Sequence, residues 1–299
     1  MNSRKWVRRS LRHLSEDLQA REHRACPNTV RRLLRKQQFS LRSNLKRLSG
    51  PPHPERESQF QHIQQQRERF ADKGLPVVSI DAKKKELIGN FKNPGCVWAS
   101  SPQPVNAYDF SHLATCRATP FGLYDIRHNR GHVYVGTSAD TGAFAVAAVK
   151  DWWQTQGREL YPQAEEILIL ADGGGSNGYR PRLFKRELQQ LADESGMSVT
   201  VCHYPRGASK WNPVEHRLFS AISINWAAQP LRTLETMLGC IRGTTNQKGL
   251  KVTATLDDRV YETKVKVSDL EMRSLNLQRH EVCPQWNYTI RPHQAIASP

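Results

Sequence analysis

The 299-residue chain is long enough to bury a substantial core, with one large domain and a small one as its natural division. Its 44 Lys/Arg against 28 Asp/Glu leave a net charge of +16, which favours a polyanionic partner. No apolar run approaches a membrane span and the charged N-terminus lacks a signal-peptide core, so no membrane partner is expected and a soluble, cytoplasmic protein is.

The six cysteines are scattered, without a C-x-x-C pair or Cys/His metal spacing, and read as reduced thiols rather than a disulfide frame or a zinc site. The charge is unevenly spread: through Gly50 there are fourteen Lys/Arg and three Asp/Glu, a net of +11. That stretch reads as two short helices. Leu11, Leu14 and Leu18 share one face of the first, from Ser10 to Gln19. Asn28-Thr29 is the expected cap of the second, where Val30, Leu33 and Leu34 face inward and the arginines outward. Two such helices, the second opening with polar and basic residues, predict a helix-turn-helix over 1–50; a helical hairpin that merely packs on the main domain is the alternative. Pro51-Pro52-His53-Pro54 marks a linker, and 51–74 ends in a polar helix from Gln59 to Phe70.

Between 75 and 226 the predicted order is strand, hairpin, helix, strand, helix, strand, helix. Pro76–Ile80 is the first strand, and Phe121–Ile126 with His132–Gly136 the hairpin. Asp140 is the expected cap of a helix aligning Ala145, Val149 and Trp152. Ile167–Ala171 is apolar throughout, as a strand covered on both faces requires. A helix carrying Phe184, Leu188 and Leu191 follows and ends at Gly196; Ser176 and Asn177 are its candidate caps. Then come the strand Ser198–His203 and a helix entered at Pro213 after Asn212. This order matches an α/β, ribonuclease H-like mixed sheet with helices on both faces, preceded by the small all-α segment. Residues 86–119 form a long insertion. Beyond it, 227–299 is expected to hold a helix from Leu231 to about Thr245, a hairpin around Lys251–Thr255 and Tyr261–Val267, and a loose tail after Trp286.

Three acids fall where that plan holds its metal ligands. Asp81 ends the first strand, and a buried acid there is costly unless paired or metal-bound; a strand-end Asp bonding to turn amides is the plainer reading. Asp172 closes the strand 167–171 before Gly173-Gly174-Gly175, a stretch that also fits a simple flexible turn. Glu215 sits in the first turn of the last helix, where Glu commonly closes a capping box. The readings separate: losing a cap costs about 1 kcal/mol, whereas losing a metal ligand abolishes the reaction of a folded protein. An all-carboxylate set without His or Cys suits Mg²⁺ better than zinc.

The sequence also resembles bacterial insertion-sequence DDE transposases of the mariner-like superfamily. The resemblance is carried by Ser79-Ile80-Asp81-Ala82-Lys83-Lys84-Lys85-Glu86-Leu87, by Ala171-Asp172-Gly173-Gly174-Gly175-Ser176-Asn177-Gly178, by Cys202-His203-Tyr204-Pro205 and by Ser209–Ser220, whose Asn212-Pro213-Val214-Glu215 is similar to the Asn-Pro-x-Glu stretch around the third acid. It covers about Ser10 to Ile290. It implies that Asp81, Asp172 and Glu215 are the catalytic triad and hold two Mg²⁺ or Mn²⁺ ions, Asp81 bridging both. The implied reaction is cleavage and strand transfer on double-stranded DNA, by a homo-oligomer that pairs two transposon ends in the nucleoid. Family members usually carry further helices before the one near Ser10, so a truncated or internally initiated copy is expected. A DNA-binding relic that does not cut, and a nuclease of the same fold that does not join, remain open. Lys83, Lys85, Arg206, Lys210 and Arg217 are candidate phosphate contacts, and Asn28, Thr29, Arg31, Arg32 and Arg35 candidate groove or backbone contacts. Trp211 is read as a core aromatic or a platform for an unpaired base. His203 and His216 lie close in sequence to the acids and are read as groups near the scissile phosphate or, otherwise, as packing or surface residues.

Overall fold

The computed structural model describes residues 9–41 and 53–293. The chain divides into two compact units, Met1–Gly50 and Pro51–Pro299. The first contains α1 (Leu11–Gln19) and α2 (Pro27–Lys36). Ser10 caps α1, its hydroxyl accepting from the His13 N–H at 3.2 Å. Helix α2 begins earlier than the expected cap at Asn28-Thr29. Pro27 has its φ already set for a helix and lacks only an N–H that the first turn leaves unbonded, so Asn28 and Thr29 lie inside that turn. Val30 is the one residue of the two helices that is fully buried. The Ser15 hydroxyl donates to the Ala25 carbonyl at 2.5 Å, tying α1 to the chain that enters α2.

The second unit opens with α3 (Arg56–Asp72), followed by β1 (Val77–Ala82), β2 (Glu86–Ile88), β3 (Cys116–Asp125) and β4 (Arg130–Gly136). Next come α4 (Gly142–Trp152), a π-helical turn, the short α5 (Arg158–Leu160), β5 (Glu166–Ala171), α6 (Arg182–Ser195) and β6 (Ser198–His203). A second π-helical turn, Val214–Phe219, runs into α7 (Ser220–Asn225). The remainder is α8 (Leu234–Arg242), β7 (Lys251–Asp257), α9 (Asp269–Ser274), β8 (Leu277–Arg279) and β9 (Asn287–Ile290). Strands β4-β3-β1-β5-β6 form the centre of one sheet, antiparallel across β4, β3 and β1 and parallel across β1, β5 and β6. This is the ribonuclease H-like arrangement. Short β2 pairs with β3 at the start of the long insertion.

Side-chain alternation sets the layers. In β5, Ile167, Ile169 and Ala171 face α4 and α6, whereas Leu168 and Leu170 face α3. In β3, Phe121 and Leu123 join the first of these cores, while Tyr124 turns to the opposite face under the helix 214–225 and α8. Helix α3, expected to be merely polar, pins itself to the sheet with polar groups. Gln59 and Asn287, both buried, exchange amide hydrogen bonds of 2.8 and 2.6 Å, and Gln59 also donates to the His203 carbonyl at 2.8 Å.

Several local expectations are corrected. Thr141, not Asp140, caps α4, because its hydroxyl reaches the Phe144 N–H at 3.3 Å while Asp140 accepts from the Ser176 hydroxyl at 2.6 Å. Ser176 and Asn177 do not cap α6, which starts after Pro181. The hairpin expected at 251–267 does not form. Strand β7 pairs in parallel with the open edge of β4, and the chain after it is held by side chains instead, with Arg259 and Tyr261 both bonded to Asp257. The tail expected to be loose after Trp286 is ordered as far as residue 293, where β9 adds to β6 and buries Tyr288 and Ile290, because β6 would otherwise present an unpaired edge; its last part, 294–299, lies outside the described residues.

Two glycines let the helix 214–225 lie close against the sheet. A Cβ on Gly122 would fall 2.6 Å from Phe219 Cζ, and one on Gly131 would collide with Leu218. Gly122 stands opposite Asp81 in the β1–β3 register, so this contact also sets how near the helix comes to that acid. Gly122→Ala is expected to destabilise the protein by about 1–3 kcal/mol through overpacking. Urea denaturation checks this, and an unchanged midpoint would show that the helix does not need the close approach.

Candidate active site

Parallel pairing of β1 with β5 sets Ile80 beside Ala171, so the next residues, Asp81 and Asp172, leave neighbouring strands side by side. Neighbouring strands are about 4.8 Å apart, close enough for the two carboxylates to interact directly. Both line an open cleft of about 640 Å³ at the C-terminal ends of these strands, where α/β sheets place their sites.

The third acid arrives through a buried hydrogen-bond chain. The Ser79 hydroxyl, on the β1 residue two before Asp81, donates to Asn212 Oδ1 at 2.5 Å and accepts from the Val214 N–H at 2.9 Å. Asn212 Nδ2 in turn donates to Asp172 Oδ1 at 3.0 Å and to the Ile80 carbonyl at 3.3 Å. Ser79 and Asn212 are both fully buried. Asn212 is therefore not the helix cap that its position suggests: its side chain points back to the strands, and a strand hydroxyl serves the helix instead. Glu215 does not close a capping box either. Its charge bears on Asp81 instead and helps to raise that acid. Glu215 belongs to the π-helical turn, a wider winding that recurs at functional sites.

Burial, and then the negative charge of Asp172, push Asp81 up to about 8; the Ala82 N–H, donating at 2.8 Å, pulls the other way, and Glu215 adds to the rise by charge. Lys83 does not relieve this. It pairs with Glu86 at 2.8 Å and lies 4.9 Å from the Trp226 ring. Three carboxylates sharing a partly buried site at such a cost fit a hard divalent cation, which would replace the proton and cancel the repulsion. Among the described residues no group of three His, Cys, Asp or Glu side chains is placed so that it could hold a metal ion, so a cation would have to draw the three acids together.

Of the other sequence candidates, Arg206 lines the cleft, and Lys210, 4.1 Å from the Trp211 ring, is exposed beside it. Lys85 and Arg217 are exposed, and Lys83 is committed to Glu86. Trp211 is not a core residue: 42% exposed, it packs on Phe60 with Arg56 5.0 Å from its ring. His203 is buried, donates from Nδ1 to the Asp172 carbonyl at 3.0 Å, and is pushed down to about 4 by burial, so it is a neutral packing group. His216 is exposed. In the first unit, Asn28, Arg31, Arg32 and Arg35 are exposed on α2, and Thr29 is half-buried beside Cys26. As site residues, the sequence did not single out Ser79, Tyr179 or Arg180, and it marked Asn177 only as a helix cap. The one signal for Ser79 was its place two residues before Asp81, on the same strand face.

A family model described as the Rhodopirellula transposase DDE domain matches residues 1–292. Among solved structures, the chain is similar to the Mos1 transposase paired-end complex with left transposon end, at 14% identity and a TM-score of 0.45 over 76% of this chain and 64% of that one. It is also similar to the Mos1 strand transfer complex, at 13% identity and a TM-score of 0.45, covering 79% of this chain and 70% of that one. This chain thus spans 64% of the length of the first Mos1 chain it matches. No curated protein matches the sequence.

Two expectations follow from the geometry. Asp81 holds its proton more tightly in the folded chain than in the unfolded one, so it contributes stability fully at low pH, below about pH 4. That contribution is lost as pH rises through about 8. Metal-free melting curves across this range should fall with pH, and Asp81→Asn should flatten the fall; an unaltered profile in the variant would refute the assignment. Asn212→Ala, which leaves buried partners unbonded, is expected to lower stability by about 1–3 kcal/mol in denaturant melts.

Proposed function

The chain belongs to the DDE transposase family, and from that membership we propose that Asp81, Asp172 and Glu215 form its catalytic triad and cut and rejoin DNA at the cleft that Asp81 and Asp172 line. The observation that carries the reading is the convergence of three acids from three separate elements on one site, at evident electrostatic cost. Asp81, Asp172 and Glu215 would together hold a pair of Mg²⁺ or Mn²⁺ ions. Bound there, the ions would supply Lewis-acid stabilisation of the leaving oxygen and activate a water or a DNA 3′-hydroxyl.

The chain's own residues do the positioning. Asn212 holds Asp172 by one oxygen, leaving the other free to ligate. Ser79 and the two close-packed glycines hold the Glu215 turn against β1, β3 and β4. His203, neutral and bonded to the Asp172 carbonyl, stiffens the strand end without taking part in proton transfer. Arg206 and Lys210, at and beside the cleft, would hold DNA phosphates without reading sequence. The exposed arginines of α2 would contact the groove or backbone of transposon-end DNA, and pairing of two ends would call for a homo-oligomer on DNA.

Incubation of the protein with labelled plasmid and Mg²⁺ or Mn²⁺, beside Asp172→Asn checked for folding, tests the reading. Metal-dependent nicking that the folded variant lacks is the expected result, and joining of the cut end to a second DNA separates a transposase from a nuclease. Salt-sensitive DNA binding with no cleavage by the unmodified protein would overturn it in favour of a relic that binds without cutting.

A further inference from the structure

The wall of the cleft beyond the acids carries cations and an unused donor. The loop after Asp172 folds back on itself: a Cβ on Gly178 would lie 2.9 Å from the Gly173 carbonyl oxygen, so only glycine permits the turn. The turn delivers Asn177, Tyr179 and Arg180. Asn177 and Arg180 line the cleft with Arg206, which comes from the loop after β6. Asn177 is 1% exposed, and its Nδ2 has no hydrogen-bond partner among the described residues. Leaving a buried donor unbonded is costly, so such a group lining a cleft marks a place where an acceptor belongs.

Tyr179 neighbours both arginines. The Arg180 guanidinium lies 5.4 Å from its ring centroid. Burial raises the Tyr179 hydroxyl, but hydrogen bonds with Arg206 and Arg180 outweigh it and lower the group from its ordinary value. The residue is anchored from below: the buried Lys185 ammonium donates to the Tyr179 carbonyl at 2.5 Å, and the ring packs edge-on to His203 at 6.2 Å. Two guanidiniums on a fixed phenol, with a buried amide donor in the same wall, supply what a phosphate needs: positive charge and several N–H groups held in place. The acids are on the opposite electrostatic footing and would repel the same phosphate without their cations.

We infer that Asn177, Arg180 and Arg206, with Tyr179 as their support, form a phosphate subsite that grips a DNA backbone phosphate next to the one held at the acids. The proposal takes the nature of its ligand from the transposase reading, but not its chemistry, because the grip requires neither metal nor cleavage. Its role is to fix the DNA strand along the cleft so that the reacting phosphodiester meets the carboxylates in register.

The test uses the full chain carrying Asp172→Asn, in metal-free buffer, with binding of a fluorescein-labelled short DNA duplex followed by anisotropy across a salt series. Arg180→Ala with Arg206→Ala should weaken binding by roughly tenfold or more and reduce the salt slope by about two. A control pair, Arg158→Ala with Lys251→Ala, removes equal charge where α5 leads to the start of β5 and where β7 begins, at the other end of the strands from the acids. It should cost under about threefold, since distant exposed charges are screened. Asn177→Asp, which sets a carboxylate where the phosphate would rest, should reproduce the loss, and Asn177→Ala serves if that variant does not fold. Equal losses in the cleft and control pairs would overturn the subsite. So would inorganic phosphate stabilising the parent but not the cleft pair while duplex affinity stays unmoved, since the site would then hold a free anion rather than DNA. Because cleavage is absent from every arm, failure of the parent protein to nick plasmid leaves these outcomes readable.

Discussion

The chain of hydrogen bonds from Ser79 through Asn212 to Asp172 is the contact on which the site depends. It is buried at Ser79 and Asn212 and reaches out to the half-buried Asp172, and it joins three elements that are remote in sequence: the first strand, the end of its parallel neighbour, and the entry to the last helix of the core. A buried polar chain of this kind stabilises only when every member is satisfied, and here each bond supports the next. Asn212 uses its carbonyl on a hydroxyl and its amide on a carboxylate and a backbone carbonyl, so no apolar residue of similar shape replaces it. Asp172 thereby loses freedom without losing both its oxygens.

Against that rigidity stands a deliberate electrostatic cost. Asp81 is driven to hold a proton by burial and by the two acids beside it, and the lysines that follow it do not come to its aid. The stability that such a site gives up is recovered elsewhere, in the two apolar layers over the sheet and in the polar lock of Gln59 with Asn287. The same sheet ends also separate charge in space. Carboxylates gather on β1, β5 and the π-helical turn, whereas Arg180 and Arg206 stand on loops across the cleft. An extended polyanion lying there would meet a negative centre that requires cations and a positive wall that does not.

The edges of the sheet carry a further constraint. A five-stranded core would leave β4 and β6 unpaired, and the chain closes both, with β7 in parallel on one side and β9 and β8 antiparallel on the other. The C-terminal region is thus part of the fold that holds the site: β9 lies against β6, whose end leads to Tyr204 and Arg206, and Asn287 reaches the helix that covers the same strand.

Much of this was legible without coordinates. The unbroken apolar run of β5, the hairpin of β3 and β4, the Gly196 stop of α6 and the order of elements led to the ribonuclease H-like sheet, because apolar periodicity and turn chemistry are local properties. The three acids were legible for the same reason, each standing at the end of a recognisable element. Their meeting was expected only from the ribonuclease H-like plan and the resemblance, not from any one local pattern. Whether Glu215 would cap its own helix or reach Asp81 turns on Gly122, Gly131 and Ser79, which lie 84 to 136 residues away, and the local pattern fits either. Asn212 likewise has the identity and position of a cap, yet spends its side chain on two strands. The pairing of β7 and β9 was equally hidden, since a short strand takes whichever unpaired edge the rest of the fold leaves beside it. Local sequence determined which elements exist and which end of each carries an acid. Only tertiary packing decided which side chains face one another, because that depends on register and close approach between segments that share no sequence neighbourhood.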